Sequence, residues 1–164
     1  MVVTAGISYQ FTSQLRGDAV EVDRTLETLR ENQKLRVSLG DFTISAGRYI
    51  ITRDERTLDN REAVKAAIQV QLEQMRSLAD DSTEKDLIAQ IARLHATRIE
   101  MSEAIIAGFR ERIRSGELPT AGEPSPLGTE YPAIGAEIEG LVKMLEAHEY
   151  AQLEIGRASC RERV

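Results

Sequence analysis

All four prolines of this chain, Pro119, Pro124, Pro126 and Pro132, fall in one short window. A proline inside a helix removes a backbone donor and clashes with the preceding turn. Residues 1–118 and 133–164 are therefore free to be helical over unusual lengths. Both stretches carry apolar residues at alternating spacings of three and four, which is the pattern of a helix with one buried stripe. There is no internal repeat and no strand-like alternation of useful length. The run from Gly116 to Pro132, rich in Gly, Pro, Ser and Thr, reads as a loop between two helical regions.

Four helices are expected, at about 12–51, 58–79, 83–115 and 131–153. The first carries Ala19, Val22, Leu26, Leu29, Gln33, Val37, Gly40, Ile44, Gly47 and Ile51 as its candidate core stripe, with a stutter at Leu29–Gln33–Val37. At about 1.5 Å per residue it is about 60 Å long, so the shape is a rod. Thr52 and Glu55 have the spacing of a capping box, and Asp59 with Glu62 offers a second start. The second helix carries Val64, Ile68, Leu72, Met75 and Leu78/Ala79. Asp80, Asp81, Ser82 and Thr83 supply caps for a short turn. The third carries Leu87, Ile91, Leu94, Met101 and Ile105, widened by Ile88, Ile99, Ile106, Phe109 and Ile113, and ends near Ser115–Gly116. The fourth carries Ile134, Ile138, Leu141, Leu145 and His148. Such helices pack best as an all-α, antiparallel up-down-up-down four-helix bundle, elongated, with both chain ends at one pole.

The chain has 164 residues, enough for one domain. Aromatics are 4% and Trp is absent, which suits helix seams built from Leu, Ile, Val and Ala. A net charge of −6 disfavours nucleic acid as a partner. No stretch reaches the roughly 18–20 apolar residues of a membrane span, and the apolar opening from Met1 to Ile7 lacks the basic start and cleavage site of a signal peptide. Residues 154–164, EIGRASCRERV, resemble the translation of a sequencing-library adapter, so the natural chain is expected to be interrupted near Leu153. This tail holds the only cysteine, Cys160, so the rest of the chain offers no disulfide, catalytic thiol or Cys-based metal site. It also carries three Arg and two Glu, a net of +1, which leaves −6 − 1 = −7 on residues 1–153.

The stretch Gly47-Arg48-Tyr49-Ile50-Ile51-Thr52-Arg53-Asp54-Glu55-Arg56-Thr57-Leu58 resembles the R-G-Y-L-L-T-G-D-E-x-Y-L signature of the third type of CHASE domain. The match lies at Tyr49, Ile50, Ile51, Thr52, Asp54, Glu55 and Leu58. The family's Arg-Gly pair stands here as Gly47-Arg48, its turn glycine as Arg53, its second Tyr as Thr57, and its upstream acidic residue falls on Thr43. Residues 72–78 are similar to the second family helix and residues 139–149 to the last. The resemblance covers about residues 12–153. It implies a sensory module on the extracytoplasmic side of a bacterial inner membrane protein, without catalysis or cofactor of its own. It further implies membrane spans before and after the module, with residues 1–11 membrane-proximal or disordered. A histidine kinase, cyclase or methyl-accepting output module would follow, pairing as a homodimer is expected, and the input is an unknown small molecule or periplasmic partner. The ligand-binding bundle of chemotaxis receptors and a soluble interaction bundle are the alternatives. Read from its residues alone, the signature specifies a helix corner.

Few side chains suggest chemistry. His148-Glu149 has the His-Glu pair of a phosphoacceptor helix, but Tyr150-Ala151-Gln152 follows where such helices carry Arg-Thr-Pro. Neither His95 nor His148 has Glu three residues before it, as helical metal bundles require, so no metal site is expected. Gly40, Gly47 and Gly108 read as points of close helix approach, or as pliable points. Arg93, Arg98, Arg110, Arg112 and Arg114 read as a solvated face. Arg98, on the stripe between Leu94 and Met101, is the candidate to grip a carboxylate ligand between helices.

Overall fold

The computed structural model describes the backbone of residues 2–117 and 126–161, and the side chains of residues 19, 20, 22–117 and 126–155. Most of the proline-rich loop and the side chain of Cys160 lie outside these residues. The elements are α1 (Val2–Thr52), a 3-10 turn (Glu55–Leu58), α2 (Arg61–Leu78), α3 (Ser82–Ser115) and α4 (Glu130–Arg161). There are four long helices and no strand among the described residues. α1 starts at Val2, ahead of residue 12, and its 51 residues span about 75 Å. α4 runs past Leu153 to Arg161.

Cross-helix contacts fix the topology. Asn32 Nδ2 donates to the Val142 carbonyl at 3.3 Å, Lys65 pairs with Glu103, and His148 meets Asp81. Each adjacent pair therefore runs antiparallel, and α1 lies parallel to α3, where the Phe42 ring meets the His95 ring edge-on at 5.2 Å. The α2–α3 turn is level with Arg24, which pairs with Asp80. Residues 2–20 of α1 therefore run on beyond that turn, beside the last turns of α4. The start of α1 and the end of α4 leave the bundle at the same pole.

The helix limits follow from local chemistry. Asp81 caps α3 by accepting from the Glu84 N–H at 2.9 Å, while Glu84 accepts from the Asp80 N–H at 2.7 Å. Gly116 ends α3 in the left-handed conformation (φ 79°), where a side chain would be strained. The expected Thr52–Glu55 capping box does not form. Thr52 Oγ accepts from the Asp54 N–H, Asp54 caps the 3-10 turn by accepting from Arg56 N–H, and the Glu55 carboxylate reaches α3 instead.

The inward face of α1 is not the expected one. Leu35, Leu39, Phe42, Ala46 and Tyr49 are buried, whereas Leu26, Val37, Ile44 and Ile51 are exposed, Ile51 by 82%. Both stripes have helical spacing, and the one with two aromatic rings goes inside because rings bury the most area per residue. α3 is rotated as well: His95, Arg98 and Ser102 take the innermost positions, and Leu94, Met101 and Ile105 lie half-buried at the seams. The stripes of α2 and α4 fall close to expectation, with Ile68, Leu72, Met75, Ile138, Leu141 and Leu145 inside.

The core has two apolar parts. The larger joins Leu35, Leu39 and Phe42 to Ile68, Leu72, Met75, Ile88, Ile91, Ile138 and Leu145. The smaller joins Ala46 and Tyr49 to Ile106 and Phe109 at the α1–α2 corner. Arg61, His95, Arg98 and Ser102 form a polar layer between them.

Candidate functional site

The signature residues build the corner that closes α1. Tyr49 is buried edge-on against Phe109, with ring centroids 5.9 Å apart, and its hydroxyl donates to Glu55 at 3.0 Å. Arg110 of α3 grips the same Glu55 carboxylate and lies over the Tyr49 ring. That pairing holds the Glu55 carboxyl below the usual carboxylate range. Ile50 and Leu58 pack against the smaller apolar cluster, while Ile51 points to solvent. Arg53, at the family's turn glycine, has φ 56° and donates its N–H to the Tyr49 carbonyl at 2.8 Å. The left-handed conformation that makes glycine natural there is retained with a side chain present. Six of the seven residues build the corner between α1, α2 and α3, and Ile51 alone does not.

Arg98 lies elsewhere, in the polar layer. It is almost fully buried, its guanidinium sits over the Tyr131 ring at 4.7 Å, and its Nε has no hydrogen-bond partner among the described residues. The guanidinium lines a groove of about 570 Å³ between α1 and α4, walled by Leu39, Thr43, Gly135, Glu139 and Val142. That volume suits a small molecule. A Cβ on Gly135 would stand 2.6 Å from Arg98 Nη2, so the missing side chain is what lets the guanidinium reach the groove. Gly40, Gly47 and Gly108 have no atom within 4 Å of such a Cβ. Close approach between helices of this chain is thus not their role; the glycine under pressure is Gly135.

Arg61 was not among the sequence candidates. It enters from the first turn of α2, donates to the Phe42 carbonyl at 3.2 Å and to Ser45 Oγ at 2.8 Å, and binds Ser102 Oγ. Its guanidinium lies 3.8 Å from the centre of the Phe42 ring. No described carboxylate forms an ion pair with Arg61 or Arg98. His95, fully buried between them, is held near pKa 4 by burial and by the Arg98 and Arg61 charges, so it is neutral at physiological pH. The Tyr131 hydroxyl faces the Arg61 guanidinium. The layer therefore presents fixed positive charge and spare donors, the complement of an anion. The sequence signal for Arg61 was a charged residue on the Val64–Ile68–Leu72 stripe.

His148 stands at the opposite end of the rod from the signature corner, with its Nε2 2.7 Å from Asp81 Oδ2. Among the described residues, no helix is long and apolar enough to cross a membrane.

No curated protein and no solved structure matches the chain. The CHASE3 domain matches over residues 18–159, well over half of the sequence, and this match includes the signature corner, Arg98 and all of the described bundle except the first turns of α1 and the end of α4. It ends six residues past Leu153. The chain belongs to the CHASE3 family of extracellular sensory domains.

Proposed function

We propose that this domain is the extracytoplasmic input module of a bacterial transmembrane receptor, anchored in the inner membrane by spans on either side and followed by a cytoplasmic output module. The supporting observation is the shared exit of α1 and α4 from one pole. A bundle tethered at both ends to one membrane needs this layout, and α1 continues beyond the α2–α3 turn for about 28 Å.

The groove lies between the same two helices. A small organic anion held there by Arg98 sets the spacing of α1 and α4, and shifts of about 1–2 Å at such interfaces are enough to carry a signal. The outward stripe of α1 supplies the pairing surface. Val37, Ile44 and Ile51 repeat every seven residues and are exposed by 55%, 53% and 82%. A heptad seam of this kind is self-complementary, so a second copy of the chain is its occupant.

The deciding experiment is recovery of the uninterrupted reading frame around this segment. One apolar span on each side and a kinase, cyclase or methyl-accepting module downstream are expected. Stop codons directly beyond Leu153 would make this a soluble bundle instead. For pairing, Val37→Cys in a Cys160→Ser background should cross-link between copies on oxidation, while Val70→Cys, exposed on α2, should not.

A further inference from the structure

The exit pole gathers a second set of polar side chains that neither the signature nor the groove uses. It forms where the α2–α3 turn meets α4. One oxygen of each of two carboxylates is committed to capping: Asp81 Oδ1 accepts from the Glu84 N–H, and Glu84 Oε2 accepts from the Asp80 N–H. The second oxygens turn to α4, where His148 Nε2 lies 2.7 Å from Asp81 Oδ2 and 3.8 Å from Glu84 Oε1. These three ligand atoms lie within 4.8 Å of one another. Metal–ligand bonds of about 2.0–2.1 Å in a tetrahedron put neighbouring ligand atoms about 3.3 Å apart. The two imidazole–carboxylate separations bracket that value.

A fourth group lies beside this cluster. Glu149, the next residue on α4, is 1% exposed, and neither of its carboxylate oxygens has a hydrogen-bond partner among the described residues. It faces Glu84, and two carboxylates meet in a protein interior only through a shared proton or a cation. Arg24, the nearby cation, is paired with Asp80. Two carboxylates therefore meet one imidazole, and a third is buried beside Glu84.

We propose that Asp81, Glu84 and His148 bind a first-row divalent cation of the zinc type, with the Glu149 carboxylate beside Glu84 as the fourth donor. One imidazole with carboxylate oxygens suits zinc and its neighbours. Calcium wants six to eight oxygens and magnesium an octahedral, water-rich shell, so neither fits. The backbone N–H bonds to Asp81 and Glu84 act as the supporting shell that holds each carboxylate in place. The bound ion clamps the α2–α3 turn to α4 where α4 leaves the bundle, so its presence sets how far that helix can slide. The site is remote from Arg98 and stands whether or not the groove binds an anion.

The test uses the whole chain, stripped with chelator and titrated with zinc sulfate by calorimetry, with calcium and magnesium chloride in parallel and cobalt(II) absorption for geometry. Cys160→Ser serves as the background, so that a tail thiol cannot contribute. One zinc per chain is expected, with cobalt bands of a four-coordinate site and no sulfur charge-transfer band. His148→Ala should weaken zinc at least tenfold, and so should Glu149→Gln. Asp81→Asn keeps a helix cap while losing the charge and should do the same. Zinc binding unchanged in His148→Ala, or absent from the Cys160→Ser chain, overturns the site; so does calcium binding as tightly as zinc.

Discussion

Midway along the rod, two guanidinium groups lie inside without a carboxylate partner; at the exit pole, the half-buried Asp81 and the buried Glu84 meet a single imidazole, with the buried Glu149 beside Glu84. In both regions desolvation opposes the charged forms, but with opposite outcomes. In the middle it holds His95 neutral and lowers the proton affinity of Arg61. At the pole it holds Glu149 protonated into the neutral range. A bundle built only for stability would fill both places with Leu and Ile, since replacing buried ionic groups by apolar ones is often neutral or stabilising. The two regions are complementary: buried positive charge exceeds negative in the middle, and buried negative charge exceeds positive at the pole. Each excess names the kind of ligand that would balance it.

The comparison breaks most readily at Arg61. Arg61→Ala opens a cavity against Phe42 and strands the Ser102 hydroxyl, at a cost of about 3–5 kcal/mol in urea unfolding. Arg61→Met keeps the volume and removes the charge, and it should unfold within about 1 kcal/mol of the parent or later. If Met costs as much as Ala, the guanidinium is a net stabiliser and the middle layer carries no uncompensated charge.

Stability against pH sharpens the contrast, measured in chelator so that the pole is metal-free. The folded pKa of His95, about 4, lies below its ordinary value of 6.5, so the unfolded chain binds the proton more tightly. Its contribution is full above pH 6.5 and is lost as pH falls toward 4. Glu149, raised from 4.5 to about 7, behaves in reverse: its contribution is full below pH 4.5 and is lost as pH rises through 7. Each shift corresponds to about 3 kcal/mol over its window. Relative to the parent, His95→Phe should gain stability as pH falls from 6.5 to 4, and Glu149→Gln should gain it as pH rises from 4.5 to 7. Gains at the same end of the scale for both variants would show that the two regions do not differ in sign.

The chain's four-helix architecture was legible because prolines, caps and three-four spacing are local signals. Asp81, Gly116 and the stripes of α2 and α4 act where the sequence places them. The inward face of α1 was not legible, because two stripes of similar spacing compete on that helix. Only packing against Phe109 and His95 decides that Phe42 and Tyr49 go in while Val37, Ile44 and Ile51 stay out. Arg98 was visible as a charge on an apolar stripe. Arg61 offered the same signal without a motif to draw attention to it. The exit-pole cluster was hidden for a different reason: its ligand atoms come from a turn and from a helix 67 residues later in the chain. No spacing rule within one helix reports such a pair.

Gly135 tests the middle layer with a smaller change. A methyl group there must displace the Arg98 guanidinium, which lies 2.6 Å from the added carbon. Gly135→Ala gains about 1 kcal/mol of helix propensity and loses about 1–3 kcal/mol to crowding. A net loss of roughly 0–2 kcal/mol in thermal unfolding is expected. Gly40→Ala, which meets no atom within 4 Å, should show the propensity gain alone. Equal gains in both variants would mean that Arg98 moves aside freely and that the groove has no fixed charge.

Arg53→Gly, the smallest of these effects, acts at the far corner, away from both regions, and so measures what a purely backbone change does. Arg53 holds φ at 56°, where an L side chain costs roughly 1–2 kcal/mol. Glycine removes that strain but adds backbone entropy to the unfolded chain, worth about 0.5–1 kcal/mol in the other direction. The expected result is a gain of about 0.5–1 kcal/mol in urea unfolding. Because neither state's proton affinity changes at this site, the gain should be the same from pH 4 to pH 8 and leave the His95 and Glu149 windows where they are. A gain that varied with pH would mean that the corner is coupled, through Tyr49 and the Glu55–Arg110 pair, to the titration of the buried layer. The contrast between middle and pole would then have to include the signature corner as a third participant.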